Sequence, residues 1–231
     1  HICQGTDTCL YLENSEIGIE YFLRRNGATL GNPAHTATGG RLKVACVSQS
    51  GEYQVIGKVG ECETLMNDTV VVEVHPLPHL DVEKELHYCE FSTGVDVTVA
   101  YPTDSTVFYE LYSPNGILPL DARYGNGDHT EFTFSVQADS VGYYRVMATD
   151  TAAGCSEVKR IQVIEDKLPL DYDLISSNGK YLCADGSGMG TYFSLSGSEK
   201  GVTYTLYRLS PREDIVSKDG TGGEFRFPKE V

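Results

Sequence analysis

Cysteine is the residue type in this chain whose number and spacing could support chemistry, with 7 in 231 residues. No two cysteines form a Cys-x-x-Cys pair or a Cys/His cluster with the spacing of zinc ligands. None lies in a pattern that suggests a catalytic nucleophile, and the 6 histidines are scattered. The set therefore favours disulfide bonds, which place the chain outside the reducing cytosol.

An internal repeat of about 90 residues supplies the elements that must position these cysteines. Tyr21–Gly27 returns as Tyr109–Gly116, and a third copy opens at Tyr204. Gly51–Val55 returns as Gly142–Val146. A repeat of this length is a whole small domain, so the chain is expected to be a tandem array of domains.

The repeats predict three domains. Repeat 1 covers residues 1–78, repeat 2 covers 79–169 and repeat 3 covers 170–231. Repeat 1 is expected to lack the lead-in strand that precedes Cys89 in repeat 2. Repeat 3 is expected to be truncated before its Gly-x-Tyr strand, to be completed by its own chain or by another.

Aligning the repeats predicts how the cysteines pair. Cys3 and Cys89 lie just before the first core strand of their repeats, and Cys62 and Cys155 follow the Gly-x-Tyr strand. If each repeat closes its own bridge, the bonds are Cys3–Cys62 and Cys89–Cys155.

Three cysteines remain after this pairing. Cys183 is the counterpart of Cys89 in repeat 3, so its partner is expected beyond Val231. Cys9 and Cys46 both lie on predicted strands of repeat 1 and are expected to bond to each other.

Hydrophobic residues alternate along the repeats with the period of two that is typical of half-buried strands. Val95, Val97 and Val99 share one face, and Phe132 and Phe134 alternate with polar residues. No stretch has apolar helical spacing together with a cap. The fold class predicted is all-β, with tandem immunoglobulin-like β-sandwich domains in an elongated array.

Two Asn-Gly pairs, Asn26-Gly27 and Asn115-Gly116, predict tight turns in which the glycine supplies a positive φ. The Gly-x-Tyr strands, with Tyr53 and Tyr144, are similar to a tyrosine corner, in which a hydroxyl satisfies a backbone group at a turn. Because the chain has no tryptophan, the core aromatic role is expected to fall to a repeated tyrosine. These core tyrosines are Tyr21, Tyr109 and Tyr204.

The formal net charge of −15 disfavours nucleic acid and anionic membranes as partners, because their phosphates would repel this surface. No segment has the ~18 apolar residues of a membrane span. Carboxylates after the two Pro-containing junctions could bind calcium, or they could be the polar side of a solvated strand. They are Asp81, Glu83, Glu85, Asp171 and Asp173. We expect no other cofactor.

The whole unit resembles a known repeat class. Its marks are the Tyr-Cys opening, the Gly-x-Tyr-x-Val strand, the Pro-Leu-Pro junction, and Gly201–Tyr207 followed by Gly220–Gly223. This pattern is similar to the Ig-like (PKD-like) repeats of large Bacteroidetes cell-surface adhesins, including gliding adhesins exported by the type 9 secretion system. In that family the repeats are stalk and display modules without catalytic residues.

Asp-Ser/Thr-small motifs similar to the O-glycosylation acceptors of those bacteria occur at four places. Their hydroxyl residues are Thr69, Ser105, Ser140 and Thr151. The same dipeptides also make good turns, so both interpretations stand.

The function expected is a structural and adhesive one, not enzymatic: a stalk that holds a distal element away from the cell. The expected partners are neighbouring repeats of a longer chain and a cell-surface or extracellular protein or glycan. The alternative is a carbohydrate-binding β-sandwich module, for which exposed loop tyrosines such as Tyr124 would stack on a sugar.

Overall fold

The computed structural model describes residues 1–31, 35–37, 39–101, 104–177, 179 and 191–228. These residues form strands, turns and irregular segments, with no helix among them. The chain divides into two compact units, His1–Glu165 and Asp166–Val231. The Cys183 prediction falls outside the described residues.

The first part of the first unit contains ten strands in the residues that the structure describes. They are β1 (Ile2–Cys3), β2 (Thr8–Ser15), β3 (Glu20–Arg25), β4 (Ala28–Thr29), β5 (His35–Thr36), β6 (Gly40–Val47), β7 (Gly51–Val59), β8 (Cys62–Leu65), β9 (Val70–Val72) and β10 (Val74–His75). β2 pairs with β6, and a second sheet is built on β3 and β7, with β4, β5, β8 and β9 added to them. β1 runs parallel to β10.

The hydrophobic core of this part lies between the two sheets. Leu23 of β3 and Tyr53 of β7 are buried in it from one side. Val44 and Val47 of β6 are buried from the other, and Val72 of β9 completes the cluster. Each sheet thus contributes one apolar face, as in a β-sandwich.

The second part of the first unit, apart from residues 102–103, contains eight strands. They are β11 (Asp81–Val82), β12 (Glu85–Cys89), β13 (Thr98–Ala100), β14 (Val107–Tyr112), β15 (Asp121–Tyr124), β16 (Phe132–Thr133), β17 (Gly142–Asp150) and β18 (Cys155–Asp166). They form a three-stranded sheet in the order β11-β13-β16 and a five-stranded sheet in the order β12-β18-β17-β14-β15.

The core of this second part is built as the alternation predicts. Val97, Val99, Phe132 and Phe134 are buried, and Val95 packs against them. The facing strands add a matching buried set, which is Val107, Tyr109, Leu111, Tyr144, Val146, Ala148, Ile161 and Val163. The prediction of an all-β sandwich is confirmed.

The second unit contains five strands among its described residues. They are β19 (Leu174–Ser176), β20 (Phe193–Leu195), β21 (Thr203–Leu209), β22 (Arg212–Asp219) and β23 (Phe225–Arg226). β19, β20 and β23 form one sheet, and β21 pairs with β22. Leu195, Leu206, Phe225 and Phe227 are its buried cluster, with Tyr204 packed against it.

The two Asn-Gly turns need glycine for different reasons. Asn26 and Gly27 have φ of 48° and 83° and connect β3 to β4, as predicted. The positive φ predicted for Gly116 is wrong, because no such conformation occurs there. A Cβ at Gly116 would lie 2.5 Å from the Ser113 Oγ, so this turn needs a small residue to allow close approach.

Candidate functional site

A disulfide bond joins the two parts of the first unit. Cys3 is bonded to Cys155 over a sequence separation of 152, with their Cα atoms 5.5 Å apart. Cys3 ends β1, where it lies opposite His75 of β10. Cys155 begins β18, opposite Asp150 of β17, and is fully buried. The bond therefore links β1, which pairs with the last strand of the first part, to the start of β18, the last strand of the second part.

The predicted pair Cys89–Cys155 is wrong, because its two cysteines lie at opposite ends of one sheet. The Gln162 N–H donates to the Lys84 carbonyl over 2.8 Å, just before β12. β12 lies beside β18 in the five-stranded sheet, and it brings Tyr88 close enough to Glu165 that, after burial, this carboxylate raises the pKa of Tyr88. Cys89 therefore lies near the end of β18, and Cys155 lies at its start.

The length of β17 measures the separation of these two ends. Its nine residues run from Gly142, opposite Val163, to Asp150, opposite Cys155, which makes eight residue-to-residue steps. At about 3.3 Å per residue that distance is about 26 Å. A disulfide needs Cα atoms within about 7 Å, so the predicted bridge cannot form in this fold.

The predicted pair Cys3–Cys62 is wrong for the same reason. The nine residues of β7 run from Gly51, opposite Val72, to Val59, opposite Cys62, which again makes eight residue-to-residue steps. Cys3 lies beyond the Gly51 end, beside β10, so about 26 Å of strand again separates the two cysteines. Cys62 and Cys89 are free thiols on exposed residues.

The second disulfide joins Cys9 and Cys46, the pair that the sequence predicts. The two residues lie directly opposite each other on β2 and β6. This bond lies within the two-stranded sheet of β2 and β6, so it does not connect the two core regions.

The repeat alignment contained the signal for the bond between the two parts but not its direction. It placed Cys3 with Cys89 and Cys62 with Cys155 as equivalent positions. It did not show at which end of the sandwich each position lies, because that depends on which strands pair and in which sense. The parallel pairing of β1 with β10 places Cys3 at the end of the first sandwich opposite to Cys62.

The tyrosine hydroxyls satisfy polar groups at the turns. The Tyr53 hydroxyl donates to the Gln49 carbonyl over 2.8 Å. The Tyr144 hydroxyl lies 2.8 Å from the Ser140 Oγ and accepts from the Ser140 N–H over 3.2 Å. Tyr21 accepts from the Glu16 N–H over 3.1 Å. The core tyrosines therefore pack in the interior and also close local loops.

The four candidate glycosylation residues are all exposed, but their hydroxyls differ. The Thr69 Oγ1 accepts from Gln54, and the Ser140 Oγ lies beside the Tyr144 hydroxyl. The Thr151 Oγ1 donates to a backbone carbonyl over 2.7 Å. In the described part of the chain, the Ser105 hydroxyl has no hydrogen-bond partner.

The aspartates of two of these motifs act as turn formers. Asp104 Oδ1 accepts from the Thr106 N–H over 3.1 Å. Asp150 Oδ1 accepts from the N–H groups of Ala152 and Ala153. These contacts agree with the turn interpretation of the motif.

The carboxylates considered for calcium do not converge. Across the described ranges, no group of three or more His, Cys, Asp or Glu side chains could hold a metal ion. Glu85 instead lies 3.0 Å from the His87 Nε2.

Asp121 is the carboxylate with the strongest local hydrogen bonding in the second sandwich. Its Oδ2 accepts from the N–H and Oγ of Ser135 over 2.6 and 2.9 Å, and its Oδ1 accepts from the Ala122 N–H. Burial raises the pKa of Asp121, but these hydrogen bonds outweigh it and lower the pKa below 3.8. No sequence motif indicates this contact, because Asp121 begins β15 whereas Ser135 follows β16, 14 residues later.

Tyr124 was predicted on a loop, and the structure places it at the end of β15 instead. Its side chain is 55% exposed, and its ring centroid lies 4.8 Å from that of Phe108. Phe108 and Tyr124 are register partners on neighbouring strands. The two rings form a small aromatic surface on the outer face of the five-stranded sheet.

No protein-family model and no curated protein matches the chain. Among solved structures, it is similar to the extracellular domains 3–5 of Drosophila OTK, with 14% identity and a TM-score of 0.26, covering 76% of this chain and 69% of that one. It is also similar to the N-terminal four Ig domains of Dscam1 isoform 8.4, with 12% identity and a TM-score of 0.24, covering 90% and 56% respectively. The fold assignment rests on the sheets and cores of this chain.

Within the described residues, no helix is long and apolar enough to cross a bilayer.

Proposed function

We propose that this chain is a structural and adhesive segment of a large secreted cell-surface protein. The Cys3–Cys155 bond is the observation that carries the proposal. Such a bond persists in an oxidising environment, and it fixes two core regions to each other. The acidic surface, with a net charge of −15, keeps such segments apart in solution.

In this proposal the repeats 1–78, 79–169 and 170–231 are Ig-like modules of a stalk that holds a distal binding element away from the cell. The sequence resemblance to Bacteroidetes adhesins supports export by the type 9 secretion system and a role in gliding. The partners proposed are neighbouring repeats and an extracellular protein or glycan.

Surface location can be tested on intact cells of the source organism. Antibodies raised against the chain are expected to label unpermeabilised cells, and external proteinase K is expected to remove the signal. Deleting a core gene of the secretion system should abolish the labelling. Labelling that appears only after permeabilisation would contradict the proposal.

O-glycosylation is proposed first at Ser105 and then at Thr69, Ser140 and Thr151. The exposed Ser105 hydroxyl supports this order, because hydrogen bonds occupy the other three hydroxyls. Glycopeptide mapping of protein isolated from its source is expected to show a sugar on Ser105. Unmodified peptides at all four residues would leave only the turn role.

Carbohydrate binding is the second candidate function, and the exposed Phe108–Tyr124 surface is the observation that favours it. Aromatic faces of this kind stack on sugar rings. A glycan array probed with the chain is expected to give binding that Tyr124→Ala removes and Tyr143→Ala, at another exposed tyrosine, retains. Failure of the chain to bind any glycan on the array would exclude this candidate.

A further inference from the structure

Cys62 occupies in the first sandwich the place that Cys155 occupies in the second. Each begins the strand that follows the Gly-x-Tyr strand, and each is the register partner of that strand's last residue. Cys62 is opposite Val59 of β7, as Cys155 is opposite Asp150 of β17. Cys155 is buried against Cys3, whereas Cys62 is an exposed thiol.

Cys89 corresponds in the same way to Cys3. Cys3 ends β1, which lies beside β10, and Cys89 ends β12, which lies beside β18. In the first sandwich Cys3 is at the end opposite to Cys62, and in the second Cys89 is at the end opposite to Cys155. Cys3 lies opposite His75, and Cys89 follows Tyr88, whose neighbour is Glu165. Cys89 is also an exposed thiol.

The Cys3–Cys155 bond therefore joins two types of position, and the described residues include one unbonded cysteine of each type, Cys62 and Cys89. We propose that Cys62 and Cys89 form further disulfides of the Cys3–Cys155 kind with other repeats of the same class. Cys62 bonds to a cysteine at the Cys3 position of another repeat. Cys89 bonds to a cysteine at the Cys155 position of another repeat.

The proposal follows from the geometry of the sandwich. A single repeat carries its two cysteines about 26 Å apart, at opposite ends, so neither can close a bridge within its own repeat. Stacking two repeats end to end brings one cysteine of each type together, as Cys3 and Cys155 show. Every repeat with this cysteine pair can thus bond to one neighbour at each end.

The bonds form by thiol–disulfide exchange. Each new bridge takes two thiols, which lose two protons and two electrons to a disulfide oxidant, and that oxidant leaves as two thiols. Exchange requires an accessible thiol, and both Cys62 and Cys89 lie on exposed residues. The extracellular location proposed above supplies the oxidising environment.

Non-reducing peptide mapping tests the proposal on protein isolated from its source. Free thiols are blocked with N-ethylmaleimide before digestion, and linked peptides are identified by mass spectrometry. Cys62 and Cys89 are expected to carry no maleimide, and each is expected to be linked to a repeat peptide at the complementary position. The partner sequence distinguishes a repeat elsewhere in the polypeptide from Cys62 or Cys89 of a second copy.

Matched variants sharpen the result. Cys62→Ser is expected to release one maleimide-reactive cysteine at a Cys3-type position of another repeat and to leave Cys3–Cys155 linked. Cys155→Ser is expected to release Cys3 instead.

Maleimide on both Cys62 and Cys89, or bonds Cys3–Cys62 and Cys89–Cys155, would overturn the proposal. A bond to a protein without this repeat would do the same. Free thiols would leave the surface role untouched, because antibody labelling of intact cells tests that role separately.

Discussion

Tyr143 and Tyr144 are adjacent residues of β17 whose side chains point to opposite faces of the sheet. Tyr144 is fully buried, and its hydroxyl contacts the turn at Ser140. Tyr143 is 57% exposed, and its hydroxyl lies 3.4 Å from Gln162. The Gly-x-Tyr motif indicated this tyrosine pair from the sequence, and strand alternation identifies the buried member.

Tyr144→Phe is expected to lower the free energy of unfolding by about 1 kcal/mol, because it removes a hydrogen-bonded hydroxyl while preserving the ring. Tyr143→Phe is the matched control and is expected to change stability by less than about 0.5 kcal/mol. Urea denaturation of the two variants measures the difference. Equal effects would show that the hydroxyl at the turn contributes nothing specific.

Asp121 gives the second sandwich a defined acid sensitivity. Its folded-state pKa lies below its unfolded value, so its contribution is present above about pH 4 and is lost as the pH falls through the lower folded pKa. Asp121→Asn is therefore expected to be less stable than the natural chain at pH 6 and to approach it near pH 3. Carbon-13 NMR titration of the Asp121 carboxyl is expected to give a midpoint below 3.8.

If the stability difference between Asp121→Asn and the natural chain is the same at pH 3 and pH 6, the carboxylate charge does not stabilise the Ser135 contact.

At the scale of elements, β18 shows how far the sequence pattern reaches. Its two faces were predictable, because Ile161 and Val163 alternate with Arg160 and Gln162 and are buried as expected. One of its neighbours, β17, precedes it directly as the other strand of a hairpin. The other, β12, was not predictable, because it is distant in sequence and hydrophobic alternation does not encode strand order. The wrong cysteine pairs follow from this gap, since Cys89 and Cys155 lie beside opposite ends of this one strand.

Two valines of β18 test the assignment of its faces. Val163 is fully buried in the core, whereas Val158 is 49% exposed. Val163→Ala is expected to cost about 2 kcal/mol of unfolding free energy through lost burial and packing. Val158→Ala is expected to cost less than about 0.5 kcal/mol, and guanidinium denaturation measures both. A larger loss for Val158→Ala would mean that the faces are reversed.

At the scale of the whole molecule, the disulfide pattern separates two architectures. Independent domains would each carry their own disulfide bond, as the sequence predicted. The structure instead places one bridge across the first unit and one within a two-stranded sheet. Sequence periodicity identified the repeats, but only the paired strands showed that neighbouring repeats share a covalent bond.

A protease site inserted between Pro76 and Leu77 distinguishes these architectures. After cleavage, the Cys3–Cys155 bond is expected to keep the two fragments together on a non-reducing gel and to release them on a reducing gel. Cys155→Ser is the control and is expected to release the fragments on both gels. Bridges confined to single repeats would release them on both gels without any substitution.

The Cys3–Cys155 bond also decides how the chain would respond if it were pulled from its two ends. The load would enter at β1 and cross directly to the start of β18, bypassing the 152 intervening steps of backbone. At about 3.4 Å per residue, roughly 500 Å of slack would be withheld from extension until the bond is reduced. The buried residues of the first core all lie within the bridged segment, so that core would stay folded under tension that unravels an unbridged array. Reduction of one sulfur–sulfur bond would turn a short, stiff connector into a long, yielding one.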